Sequence, residues 1–282
     1  MTTHISDEIF MGDKKVDIPV HINLNKVQLI IRAAINEAGI YAGFAYNVKT
    51  DSGFTKYALV EDSNIQFVPI TTDVNIIQKY KECFYDWVIE NSFKYVVDRF
   101  SIFLDQIYCV CSLYNIHKTE YSMELINSME KKERDFHKKK FTEKLTILES
   151  EFDVFPNKNT ALLSIQSTRN CLTHRNGIVG KADLRNNSEF IVKWTGYHLY
   201  AKEQSGVEHD LNIIPPEGVL LPEGASIMLK PNADKQKTFH FNDKIHFFSR
   251  EFAEILMYLQ AEADHILKNA EKFAEKKGVP KI

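Results

Sequence analysis

From Thr72 to about Ile116 the apolar positions fall at steps of three and four. Phe93, Val96, Val97, Phe100, Phe103, Leu104, Ile107, Val110, Cys111 and Tyr114 hold that rhythm. The spacing predicts one long helix with a wide apolar flank, which must be covered by other helices. A pattern sustained for about six turns commits the chain to a mainly α architecture, a helical bundle. Asp98, Arg99 and Asp105 punctuate it. Either acid has the reach to orient a catalytic His from a neighbouring helix, and the alternative is charge facing solvent.

The remaining segments are arranged around this helix. Residues 1–72 read as an N-terminal α/β arm. Val16, Ile18, Val20, Ile22 and Leu24 alternate as in a short strand or extended arm, and Asn25 is placed to cap the helix that follows. Asp51-Ser52-Gly53 breaks that helix, and a short strand pair is expected at Tyr57–Val60 and Ile65–Val68. Residues 73–178 form the helical core. Within it, Lys118–Lys140 reads as a solvated charged helix or linker, or as an RNA-contacting rim, because K-K-E-R-D-F-H-K-K-K holds six basic residues against two acidic. Phe141, Leu145, Leu148 and Phe152 mark a further amphipathic helix.

Residues 179–242 read as a small antiparallel β insertion. Phe190–Trp194 and Tyr197–Tyr200 alternate around Thr195-Gly196 as a hairpin, and Ser226–Leu229 and Thr238–Phe241 read as two more strands. Pro215-Pro216-Glu217-Gly218 and Leu221-Pro222-Glu223-Gly224 are turn punctuation. Trp194, Tyr197 and Tyr200 serve either as hairpin core or as recognition surface. In 243–282, Asn242 or Asp243 is expected to cap a last helix whose stripe runs through Ile245, Phe248, Phe252, Ile255, Leu259 and Ile266 and packs on the long helix.

Charge and cysteine usage narrow the function classes. A net charge of −3 argues against a general nucleic-acid coat, though not against an enzyme with a local basic cleft. Cys83, Cys109, Cys111 and Cys171 form no C-x-x-C, so a reducing, cytoplasmic setting is expected. The start M-T-T-H-I-S-D-E-I-F has no basic region before an apolar run, so no signal peptide is expected, and no uncharged stretch is long enough to span a bilayer. His198, His209, His240 and His246 have no compact ligand spacing, so neither a metal nor another cofactor is expected. There is no glycine-rich phosphate loop, no G-x-S-x-G and no H-E-x-x-H.

The chemistry lies in N-T-A-L-L-S-I-Q-S-T-R-N-C-L-T-H-R-N-G-I-V-G, Asn159 to Gly180. Ala161, Leu162, Ile165 and Leu172 form a broken helical stripe, and Arg169 and Asn170 sit in the gap. Asn176-Gly177 stops the helix. Arg169 and His174 are roughly 140° apart around the axis, flanking a face, while Asn170 and His174 are neighbours at i, i+4. A cleft beside the helix could receive guanidinium, carboxamide and imidazole together. That trio suits a phosphodiester: Arg forks onto phosphate oxygens, an imidazole exchanges protons near neutrality, and Asn orients either one. Alternatively, His174 and Arg175 only decorate a helix C-terminus, where the dipole favours cations.

Arg169-Asn170-Cys171-Leu172-Thr173-His174 resembles the R-x4-6-H motif of the HEPN superfamily, including the polar residue after the Arg. The resemblance covers the motif helix and its packing partners, about half the chain. It implies a helical fold, often dimeric, and a metal-independent endoribonuclease of the kind found in toxin–antitoxin and phage-defence systems. On that footing the catalytic residues are Arg169, His174 and Asn170, the substrate is RNA, and two motif helices from a homodimer share a composite site. An antitoxin or defence partner is implied, and no membrane. The same fold with a degenerate site, acting as a binding or regulatory module, is the rival reading. A purely structural role with His174 buried is another.

Overall fold

Residues 2–11, 14–55, 71–117, 122–184, 188–211, 220–221 and 223–279 are described by the computed structural model of the chain. Its frame is a trio of long helices: α1 (Leu24–Thr50), α2 (Val74–Ile116) and α7 (Ser249–Lys277). At 1.5 Å per residue α2 is about 64 Å long. Asp73 starts it, accepting the Asn75 N–H at 2.8 Å. Phe93, Phe100, Phe103, Leu104 and Ile107 are buried as the periodicity requires. α1 runs antiparallel to α2: Tyr95 donates to Glu37 Oε2 at 2.6 Å, and the buried Lys81 ammonium donates to the Asp51 carbonyl at 2.6 Å, satisfying the end of α1. Phe252, Ile255, Leu259 and Ile266 of α7 close the bundle against both, as expected for a last helix packing on the long one.

Ahead of α1, β1 (Thr2–Met11) and β2 (Lys14–Asn23) pair antiparallel from Thr2↔Asn23 to Met11↔Lys14. The cap of α1 is Asn23, whose side chain accepts from Lys26 N at 3.4 Å; Asn25 lies already inside the helix. The strand pair expected at 57–60 and 65–68, and the Pro215–Gly218 turn, lie outside the described residues. The charged segment becomes α3 (Met123–His137), which buries one residue, Phe136, stacked on Tyr108 at 4.0 Å. α4 (Phe141–Phe152) buries Phe141, Leu145, Leu148 and Phe152. α5 (Asn159–His174) is the motif helix and α6 (Lys181–Leu184) a single turn.

The β region is a three-stranded antiparallel sheet in the order β4-β3-β5, with β3 Phe190–Lys202, β4 Glu208–Asp210 and β5 Ser226–Phe239. Here two expectations fail. Thr195-Gly196 is not a hairpin turn, and Ser226–Leu229 and Thr238–Phe241 are not separate strands. β3 runs straight through Gly196 with a register shift between Thr195 and Tyr197, and β5 accompanies it along its whole length. A Cβ on Gly196 would meet Lys235 Cε at 2.8 Å and the Ala233 carbonyl at 3.3 Å. The glycine serves the close approach at a bulge, which looks like turn chemistry when only the sequence is in view. Phe190, Val192, Trp194 and Phe239 join the same core as the helices, so the sheet is a second layer of the fold.

The start of α7 also differs. After a turn at Asn242, residues 243–245 run beside 177–179, with Val179 N donating to Asp243 O at 2.9 Å and Ile245 N to Gly177 O at 2.8 Å. Those backbone bonds outbid an earlier helix start. Asp243 instead closes a turn by accepting His240 N at 2.7 Å, and Glu251 caps α7 by accepting Phe248 N at 2.9 Å. Ile245 and Phe248 therefore precede the helix, and Phe248 is exposed.

Candidate functional site

Both ends of α5 are pinned. At its start no side chain of its own caps it. The job falls to Glu262 of α7, which accepts Asn157 N at 2.7 Å and Lys158 N at 3.3 Å while Tyr258 donates to Lys158 O at 3.0 Å. Glu262 is buried, and that burial pushes its carboxyl above the usual range against the pull of the two N–H donors. At the far end Arg175 N and Gly177 N both donate to Cys171 O, a closing pattern that needs Gly177 at φ 76°. Arg175 pairs with the buried Asp183, which also accepts Gly180 N at 2.9 Å.

The stripe of α5 is not broken after all. Thr168 and Cys171 are fully buried and fill the gap between Ile165 and Leu172. Thr168 satisfies its hydroxyl on Ser164 O at 2.9 Å, and Cys171 Sγ donates to Ile178 O at 3.4 Å. Burial pushes the Cys171 thiol up to about 11, so it behaves as a small apolar group. Arg169 and Asn170 are consequently half-buried beside the stripe instead of replacing it.

The three motif residues are split two and one. Arg169 Nε lies 2.7 Å from Asp98 Oδ1 of α2, an ion pair without a well-aligned hydrogen bond. Asn170 Oδ1 accepts from Arg169 Nη1 at 3.4 Å and from Gln166 Nε2 at 3.3 Å, so the carboxamide orients the guanidinium. His174 stands in the exposed last turn, where no described residue bonds its ring. A buried structural histidine is thereby ruled out. Asp98 was open to two readings, solvent-facing charge or support for a His; it faces solvent, and its described partner is Arg169 and not a histidine.

Asp105 does meet a histidine from a neighbouring helix, although not the motif one. Its Oδ2 lies 2.8 Å from His137 Nδ1, and its Oδ1 lies 2.6 Å from the buried Lys144 ammonium, which also donates to Ser101 Oγ at 3.0 Å. The cluster ties α3 and α4 to α2. The four histidines considered as ligands make separate local contacts, such as His209 with Glu203 at 2.6 Å, and no group of metal-holding side chains forms among the described residues. No helix among them is long and apolar enough to cross a membrane. Glu262 and Asp183 escaped the sequence reading, and Asp98 was considered only as solvent-facing charge or support for a His, because nothing in local spacing ties the three to α5.

One test of the helix stop follows directly. A Cβ at Gly177 would lie 3.1 Å from Leu172 Cδ2, on a left-handed backbone. Gly177→Ala is expected to cost about 1–2 kcal/mol, read as a lowered urea midpoint at unchanged slope. An unaltered midpoint would mean that the turn after α5 is not held as described.

Compared with known proteins, the chain matches no family model, no curated protein and no solved structure.

Proposed function

We propose that this chain is a metal-independent endoribonuclease of HEPN type, acting as a homodimer in a toxin or phage-defence setting. The observation that carries the reading is that one helix, pinned at both ends, carries both an exposed His174 and a guanidinium oriented by Asn170. RNA lies along that helix, and the ribose 2′-hydroxyl attacks the adjacent phosphorus. His174 transfers the protons, Arg169 stabilises the charge that grows on the phosphate oxygens, and Asn170 keeps Arg169 aimed. Two copies present their motif helices to one groove, and an antitoxin or defence partner controls access. The four cysteines are free, which suits a reducing cytoplasm. Cleavage of generic RNA by the purified protein, lost in Arg169→Ala, tests the reading; intact RNA after long incubation at high enzyme would sink it.

The Arg169–Asp98 pair favours one second reading, a binding or regulatory module whose key cation is already neutralised. The two readings separate on Asp98→Asn. If Arg169 grips phosphate, removing its competitor tightens RNA binding by up to about 5-fold, the worth of a half-exposed ion pair. Fluorescence anisotropy with a short labelled RNA, in a His174→Ala background to prevent cleavage, reads this out. Unchanged or weakened binding would show that Arg169 serves Asp98 alone.

A further inference from the structure

α2 carries a second apolar stripe opposite the one buried in the bundle. Tyr80, Phe84, Trp87, Asn91, Tyr95, Asp98 and Ile102 recur at steps of four, three, four, four, three and four. They occupy one face of the helix. Trp87 is 61% exposed, Tyr80 45%, Phe84 43% and Ile102 37%. α1 extends the surface with Tyr41, 53% exposed, and Phe44, 66% exposed. Between the two helices lies an open cavity of about 500 Å³, lined by Tyr41, Phe44, Phe84, Trp87 and Tyr95 with polar groups such as Glu37 and Asn91 among them. Few monomers leave so much aromatic surface in one place without a use for it.

We infer that this face is covered by a second copy of the same chain, packed antiparallel with the two-fold axis beside Asn91. The spacing supplies the first argument. Counted from Asn91, the stripe falls at four, seven and eleven residues in both directions. An antiparallel mate centred there sets Trp87 against the partner's Tyr95 and Tyr80 against the partner's Ile102, while the step at seven sets Phe84 beside the partner's Asp98, whose charge Arg169 already offsets. Asn91 itself meets its own equivalent. Its Nδ2 donates to Trp87 O at 2.7 Å, and a carboxamide retains a second donor hydrogen and acceptor capacity for a mate. A polar residue at the centre of a largely apolar seam is a device that fixes register.

Area supplies the second argument. Four aromatics exposed to this degree leave on the order of 400 Å² of apolar surface at the centre. A stable interface needs about 800 Å² per partner, and Tyr80, Ile102 and the helix rims lie on the same face to complete it. The protruding Trp87 and Phe44 beside an open groove give the surface both knob and hole, as a self-complementary contact requires. In this register each Asp98, the residue that holds Arg169, faces the partner's Phe84, so the mate borders the motif helix. That last consequence rests on the functional reading above; the docking face does not.

The test uses the whole chain. Light scattering at micromolar concentration is expected to give a dimer, and Trp87→Asp is expected to raise its dissociation constant by at least about 30-fold, as loss of a central aromatic anchor does. Trp87 is exposed, so the melting curve of the variant at low concentration should match that of wild-type monomer. Asn91→Cys, made in a Cys83→Ser background, should oxidise to a covalent dimer on a non-reducing gel, while a control cysteine at the exposed Ser150 should not. A wild-type monomer, a dimer untouched by Trp87→Asp, or no Asn91→Cys cross-link would each overturn the inference. A dimer that cross-links at Asn91→Cys yet cleaves no RNA would uphold this face and remove the functional reading.

Discussion

Replacing His174 by Ala is expected to lower RNA cleavage by about 10²–10⁴-fold, the usual contribution of a general acid–base group, without unfolding the protein. The side chain is exposed and no described residue bonds it, so its removal leaves nothing buried and unpaired. Arg169→Ala should fall as far, because no other side chain of α5 carries a fixed positive charge toward the same edge. Its ion pair with the half-exposed Asp98 contributes about 1 kcal/mol or less, so Tm should move little. Cleavage should persist in EDTA. From Asn159 to Gly180 there is no Asp or Glu, and the carboxylates described against this stretch, Asp98, Asp183 and Glu262, are each engaged by the protein's own donors. Activity persisting in His174→Ala, or vanishing with EDTA, contradicts the proposed mechanism.

The largest effect on stability is expected at Glu262. Glu262→Ala strips the partner from the N–H groups of Asn157 and Lys158 where α5 begins, and should cost roughly 2–4 kcal/mol. Glu262→Gln behaves differently, since its carboxamide oxygen still accepts while the buried charge is gone. The sign of the pH dependence follows from the raised carboxyl. A group bound more tightly to its proton in the folded state adds stability at low pH, and that stability is lost as pH rises through the folded value. Wild type should therefore gain on Glu262→Gln as pH falls from neutrality toward the unfolded value of 4.5. Urea midpoints of the two proteins across that range measure it. A constant difference would show that Glu262 does not titrate in its buried seat. Activity should fall in Glu262→Ala as well, because the motif helix loses its anchor.

The long elements were legible because burial on one side of a helix writes a period into the sequence. α2, α4 and α5 fall where the spacing of Phe93, Phe100, Leu145 and Ile165 puts them. The misreadings share a cause: a local signal answered by a distant partner. Gly196 reads as a turn until β5 lies beside it, and Asn242 and Asp243 read as caps until residues 177–179 claim their backbone. Thr168 and Cys171 were passed over as core because neither is strongly apolar, which made Arg169 and Asn170 look like intruders in the stripe. The site was half legible. Arg169, Asn170 and His174 share one helix and can be read from a motif. Asp98 lies on α2, and Glu262 stands 105 residues from the backbone that it caps. Periodicity carries no information about such pairs.

One measurement bears most directly on the proposed activity. Purified protein is incubated in EDTA with an RNA oligonucleotide and with the same sequence carrying 2′-deoxy sugars, and the product ends are identified by mass. Attack by the ribose 2′-hydroxyl predicts cleavage of the RNA alone, leaving 2′,3′-cyclic phosphate ends, with both Arg169→Ala and His174→Ala inert. Cleavage of the deoxy strand, ends without the cyclic phosphate, or RNA left whole by the wild-type protein would contradict it.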